Sequence, residues 1–297
     1  MRLIAAAFAV LLAVASAQAQ TYPSRPVTVV VPFPAGGPSD VVARIVAEHM
    51  GKVLGQTMVI ENVAGSMGSH VAAPVLTPNV KYDSQRDFDP IGPTAHAPAV
   101  IVARKDFPAN NLREFIAYLK QHGADVKQAH GGIGSSSHMA CLLFAAAAGV
   151  TPNLVAYRGT GPAMNDLIGG HVDFLCEQAV SVTGQIASGA VKAFAMSGDA
   201  RLATLPDVPT ATETGVNYRM SVWAGMFAPR GVPADVMKRL NDALDQTLDD
   251  ASVQKRLADL GGAIPKKSER VPANFEAYVK AEIERWSPIL KTAAKPN

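Results

Sequence analysis

The stretch VVVPFPAGGPSD, Val29 to Asp40, carries a run of valines through a Pro- and Gly-rich turn into an apolar-periodic segment. The valines and the residues before them, PVTVVVP, are β-branched and suit a buried strand. Beyond the turn Val42, Ile45, Val46, His49, Met50 and Val53 recur at intervals of three and four, which describes a helix with one buried face. Gly55 stands where a left-handed cap residue is expected, and TMVIEN reads as a second strand. Strand, helix and strand with short connections make a βαβ unit, so a mainly parallel sheet is expected.

Outward from this unit, Val63 to Pro93 reads as a polar, turn-rich interval, and PAVIVARKD as the next strand. NNLREFIAYLKQHG places Leu112, Phe115, Ile116 and Leu119 on one helix face, with Asn111 as cap and Gly123 as stop. The opening pattern then recurs: HGGIGSSSHMACLLFAAAAG is a second Gly-rich turn feeding an apolar helix. Strands at NLVAYRG, VDFLCEQ and VKAFAMSG alternate with helices at GPAMNDLIGG and GQIASG, and SVWAGMFAPRG returns the chain. Three helices close the sequence. The alternation gives an α/β class, and the second Gly-rich turn in mid-chain favours two lobes, one inserted in the other. Residues 20–102 with 226–297 are expected to form the first lobe, and 103–225 the second.

The first residues, MRLIAAAFAVLLAVASAQAQ, have a basic start, an apolar core from Leu3 to Val14 and a small-x-small site at Ala17-Gln18-Ala19. That is a secretory signal peptide, residues 1–19, and its apolar run is shorter than the roughly 18–20 residues a membrane span needs. An exported, periplasmic, monomeric protein is expected. About 277 residues then remain, enough for one large or two medium domains. Lys plus Arg number 27 against 25 for Asp plus Glu, without charge blocks, which argues against a nucleic-acid partner. Cys141 and Cys176 could pair, but both lie in apolar surroundings, and buried free thiols are the favoured reading. No metal and no cofactor are expected.

The chemistry lies in the two turns. In an open α/β sheet, ligands bind beyond the C-terminal strand ends, where helices begin and present unpaired N–H groups. Ala35-Gly36-Gly37-Pro38-Ser39-Asp40 and Gly132-Ile133-Gly134-Ser135-Ser136-Ser137-His138 both fit, and a carboxylate or phosphate between them is the natural ligand. Neither turn holds a Lys or completes a nucleotide P-loop, a dinucleotide fingerprint or a nucleophile elbow. The bland alternative for each is a tight connection whose Ser or Asp caps a helix. An exported serine hydrolase is a second reading, since Ser135 to Ser137, His138 and Asp40 or Asp173 include the residue types of a triad. A ligand-binding co-receptor for a membrane sensor is a third.

The ordered set YPSRPVTVVVPFPAGGPSD, ENVAG, KYDSQRDFDPIG, GIGSSSHMA, AYRGTGPAMNDLIGGHVDF, LPDVPTATETGV and APRGVPADVMKRLNDAL resembles the substrate-binding proteins of tripartite tricarboxylate transporters, the Bug family. The likeness runs from Tyr22 to near Trp286. It implies two Rossmann-like lobes joined by a hinge, in the type II periplasmic-binding-protein architecture. It also implies a non-enzymatic function: capture of a small carboxylate, an organic acid or acidic amino acid, for membrane permease subunits. The family's gripping turns fall here on Pro32, Phe33, Ala35, Gly36, Gly37 and Asp40, and on Gly134, Ser135, Ser136, Ser137 and His138. Gly159 and Gly161 fall in another cleft-side turn, and Glu177, Gln178 and Ser181 on a stretch facing the ligand's far end. His138 is read more as a residue that positions the Ser loop than as a ligand contact.

The sequence departs from this pattern between ENVAG and KYDSQRDF, where the family chain is much longer. The shortening predicts that the first lobe has lost a crossover helix and one strand, leaving open edge groups and a thinner core. Lower stability than that of its relatives, and weaker binding, are the expected consequences.

Overall fold

The computed structural model describes residues 22–63, 70–72, 75 and 81–293; the leader, its cleavage site and most of the shortened interval lie outside the described residues. β1 (Val27–Val31) runs parallel to β2 (Met58–Asn62), with Val27 opposite Met58 and Val31 opposite Asn62. Between them α1 (Pro38–Leu54) begins on a proline, whose missing N–H costs nothing at a helix start, and ends at Gly55 with φ 74°. Its buried stripe includes Val42, Ile45, Val46 and Met50.

β3 (Phe88–Arg104) is a strand of 17 residues and begins well inside the interval expected to be turn-rich. Pro90, Pro93 and Pro98 disguise it in the sequence. The ladder absorbs them by register shifts between Pro90 and Gly92 and between Pro93 and Ala95. Its first part, Phe88 to Pro98, pairs with β8 (Ser221–Pro229). Its second part, Ala99 to Arg104, lies between β6 (Phe174–Gln178) and β7 (Val191–Met196). β3 thus changes partners at Pro98–Ala99.

The larger sheet has the order β5-β4-β6-β3-β7, with β8 on β3. β4 (Lys127–His130) is parallel to β5 (Asn153–Ala156) and to β6, whereas β3 is antiparallel to β6, β7 and β8. The expectation of a mainly parallel sheet is therefore corrected. β3 carries the chain outward and β8 carries it back, so the strands that join the two bodies must oppose.

α2 (Leu112–His122) and α3 (Ser136–Ala148) cover one face of this sheet, around Phe107, Phe115, Phe144, Phe174 and Phe194. α4 (Thr160–Ile168) and α5 (Ala179–Ala187) cover the other, around Met164, Leu167, Leu175 and Val182. α6 (Ala234–Asp249) and α7 (Ala251–Asp259) pack with α1 over Leu240, Leu244, Leu248 and Leu257. α8 (Pro272–Ala293) brings Trp286 and Leu290 to the Phe cluster. No helix among the described residues is long and apolar enough to cross a membrane.

Cys141 on α3 and Cys176 on β6 are joined as a disulfide, with Cα atoms 5.2 Å apart. This corrects the reading of two free thiols. Both residues are fully buried, as expected, but α3 packs directly on β6 and brings them face to face.

β1 and β2 form a sheet of their own, and among the described residues no strand pairs with the outer edge of β1. Val27, Val29, Met58 and Ile60 face α1 and the core, while Val30 and Val59 on the opposite face are 57% and 46% exposed. A parallel pair is ordinarily covered on both faces. The interval expected to have lost a strand and its crossover helix lies largely outside the described residues.

Candidate functional site

The first turn is built around Asp40. Gly36 has φ 82° and donates its N–H to Asp40 Oδ2 at 2.9 Å. The same oxygen accepts Arg44 Nε at 2.9 Å, and Asp40 Oδ1 accepts Asn62 Nδ2 at 2.9 Å. Asn62 Nδ2 also reaches the Phe33 carbonyl at 3.0 Å, tying the turn to the end of β2. Burial pushes the Asp40 carboxyl up, but its bonds from Arg44, Gly36 and Asn62 and the Arg44 charge outweigh this and hold it below the usual carboxylate range. Asp40 thus spends its acceptor capacity inside the turn. Ala35 and Gly36 are exposed and Gly37, the residue before α1, is buried.

The second turn follows the same plan with hydroxyls. Ser135 caps α3, its Oγ accepting the His138 N–H at 3.2 Å, and lies 3.0 Å from Ser137 Oγ. Ser137 Oγ accepts the Gly131 N–H at 2.8 Å, and His138 Nδ1 accepts the N–H of Gly134, whose φ is 79°. The His138 ring packs against that of His130, with centroids 4.5 Å apart and the planes tilted by 36°. Burial, with a smaller contribution from His130, pushes His138 down to about 4, so it is neutral at pH 7. His138 therefore braces its own loop.

A third helix start adjoins the second turn. Gly159, φ 114°, precedes α4, and a Cβ on Gly131 would meet the Thr160 nitrogen at 3.3 Å. Thr160 Oγ1 donates to Glu177 Oε2 at 2.5 Å, and Gln178 Nε2 donates to Ser136 Oγ at 3.0 Å. Ser181 Oγ donates to the Gln178 carbonyl at 3.1 Å within the first turn of α5. Gly161 lies half-buried in the first turn of α4 with open space around its Cα. The first turn reaches this group through Pro34, whose ring lies against Gly159.

The starts of α3, α4 and α5 are thus bonded into one cluster, and Pro34 brings the start of α1 against it. No lysine or arginine enters these bonds except Arg44, which is engaged by Asp40. The bonds just described also leave no nucleophile and base in contact. Ser135 and Ser137 bind each other and backbone N–H groups, Ser136 Oγ takes the Gln178 amide, His138 Nδ1 takes a backbone N–H, and Asp173 is held by Arg104 at 2.9 Å. Such a constellation offers N–H and O–H donors to an anion rather than chemistry to a bond.

Pro34, Asn62, His130 and Thr160 were missed by motif reasoning. His130 ends a strand that leads into a Gly-rich turn, which is the local signal that could have drawn attention to it. Pro34 and Thr160 matter only through residues distant in the chain.

Two α/β bodies joined through long strands, with helix starts facing each other between them, define a periplasmic-binding-protein type of solute receptor. The chain belongs to the tripartite tricarboxylate transporter receptor family, whose model matches residues 64–294. A protein encoded in the TAR-I ttuE-ttuC' intergenic region of Agrobacterium vitis is 38% identical over 303 residues, covering 94% of this chain and 88% of the relative. That alignment is longer than the 297 residues of the present chain, so the relative carries residues with no counterpart here. Among solved structures, MatC from Rhodopseudomonas palustris with bound malate superposes with a TM-score of 0.85 at 37% identity, covering 91% of this chain and all of MatC. The periplasmic binding protein BugD gives 0.86 at 38% identity, covering 92% of this chain and 98% of BugD. A family of receptors, and not of enzymes, sets the hydrolase reading aside.

Proposed function

We propose that this protein is a periplasmic receptor that holds a small carboxylate between its two lobes and delivers it to the permease subunits of a tripartite transporter. The observation that carries this reading is the facing of donor-rich helix starts, Gly36–Gly37 on one side and Ser135 to Thr160 on the other, brought together at Pro34 and Gly159. The malate bound by MatC is a ligand of the same chemical class.

In this reading backbone groups of Phe33 to Gly37 and of Gly134 to Ser137 bind the ligand's carboxylate. Asp40 and His138 hold those loops in shape. Gly159, Gly161, Glu177 and Ser181 line the far side. Residues 20–102 and 226–297 belong to the first lobe and 103–225 to the second, with the hinge in the paired strands β3 and β8, and the receptor acts as a monomer.

Magnitudes favour convergence over any single turn. Each helix start contributes about 0.3–1 kcal/mol to an anion, whereas a micromolar ligand needs about 8 kcal/mol. Hydrogen bonds to the charged group, about 1.5–3 kcal/mol each, supply the rest only if several donors meet on one ligand. The test is calorimetric titration of the mature protein with malate, beside Gly37→Val. A Cβ at Gly37 has ordinary space, its nearest neighbour being the Pro34 carbonyl at 3.6 Å, so the branch point of the larger side chain is accommodated while its methyl groups crowd the turn. Saturable binding that Gly37→Val abolishes is expected; binding unchanged in that variant would remove the first turn from the site.

A further inference from the structure

Glu177 is the penultimate residue of β6, with 1% of its surface exposed, at the junction of the three second-lobe helix starts. Its Oε2 takes the Thr160 hydroxyl at 2.5 Å and its Oε1 takes the Gln178 N–H at 2.8 Å. Neither bond comes from a cation. β3 sets Val100 opposite Glu177, and α5 opens with Ala179 and Val180. β4 and α3 contribute His130 and His138, and burial pushes both imidazoles down, His138 to about 4. Arg158, ahead of α4, is exposed to solvent, and across the cleft Arg44 is committed to Asp40.

A buried carboxylate without a cationic partner is costly, and a second anion brought to the same cluster makes it costlier. Taking a proton relieves both. We propose that Glu177 is a specificity-determining residue that enters the ligand-bound state as a neutral acid, so that the cleft takes up an organic-acid anion together with one proton. The proton comes from solvent, adds to a Glu177 carboxylate oxygen and leaves when the ligand leaves. This inference rests on the carboxylate reading of the cleft and adds a charge rule to it. Burial, against the bonds from Thr160 and Gln178, already pushes Glu177 up to about 7 before an anion arrives. Affinity for an anion should therefore fall as pH rises through neutrality.

The decisive experiment has two arms. Carbon-13 NMR of glutamate-labelled, ligand-free protein, with the signal assigned by its loss in Glu177→Gln, should show the Glu177 carboxyl titrating near neutrality. Calorimetric titration with malate between about pH 6 and about pH 8.5 should show affinity falling by up to about tenfold per pH unit above 7, with proton uptake on binding. Glu177→Gln, which keeps the shape and cannot ionise, should bind malate at pH 6 and vary less than about twofold across the range. An ordinary carboxyl titration, a flat profile in the native protein, or an unchanged slope in Glu177→Gln would overturn the proton linkage while leaving the carboxylate reading intact. Absence of malate binding at every pH would overturn both.

Discussion

The ring of Pro34 in the first turn lies directly over the Cα of Gly159 in the second body: a Cβ built on Gly159 would stand 2.7 Å from Pro34 Cγ and 2.9 Å from Cδ. The two helix starts approach this closely only because residue 159 has no side chain. Its φ of 114° with ψ of 169° is also a conformation that other residues scarcely adopt.

Gly159→Ala should therefore damage closure more than folding. The strained backbone costs about 1–3 kcal/mol, and the methyl group holds the lobes apart where Pro34 must approach. Calorimetry should show malate affinity reduced at least tenfold while circular dichroism remains native. Affinity equal to that of the native protein would mean that Pro34 and Gly159 do not meet in the bound state.

Asp40→Asn should weaken the first turn by about 1–3 kcal/mol, because the carboxylate serves Gly36, Arg44 and Asn62 together. The pH dependence follows from the direction of the shift. A carboxyl held below its unfolded value contributes stability that is present above that value and is lost as pH falls through the lower folded one. Urea unfolding should show the gap between native protein and Asp40→Asn at its widest near neutrality and closing in strong acid. A constant gap would mean that the ionised form of Asp40 does not stabilise the turn.

The βαβ opening, both Gly-rich turns and the order of the helices were legible in the sequence because each rests on neighbours within a few residues. Val42 to Met50 and Ser135 to His138 are examples, where periodicity or capping fixes the local outcome. β3 was half hidden because its prolines mimic a loop, and only pairing with β8, more than a hundred residues later, reveals a strand. The Cys141–Cys176 bond and the Pro34–Gly159 contact were illegible for the same reason: each depends on how distant elements pack. The role of Asp40 was legible as residue type and not as function, since a carboxylate that spends its acceptors on its own loop looks the same in sequence as one that faces a ligand.

The disulfide closes a loop of 35 residues and staples the helix carrying Ser136 to His138 to the strand carrying Glu177. Restricting the unfolded chain in this way is worth roughly 2–4 kcal/mol. Cys141→Ala with Cys176→Ala should lower the urea midpoint accordingly, and reductant should shift the native protein but not the double variant. Equal midpoints for the two proteins would place the pair's contribution elsewhere than in stability.

Among the described residues one face of the β1–β2 pair is open to solvent, and the first lobe should be the weaker body. Val30 and Val59 stand in solvent where a parallel pair ordinarily meets a second layer, and the strands are anchored on the α1 side through Val27, Val29, Met58 and Ile60. β6, by contrast, is buried at all five positions and lies between β3 and β4. Regions with few buried contacts open below the global unfolding energy. Amide exchange should therefore be fastest, among the strands, in Val27–Val31 and Met58–Asn62, and slowest in β6 and the second part of β3. The whole protein should also melt below MatC under matched conditions. Because the first turn grows out of β1 and is tied to β2 by Asn62, malate should slow exchange in these two strands more than in β6. Protection of β1 and β2 equal to that of β6 without ligand would show that the pair has found a cover, and would remove the reason to expect a weakened site.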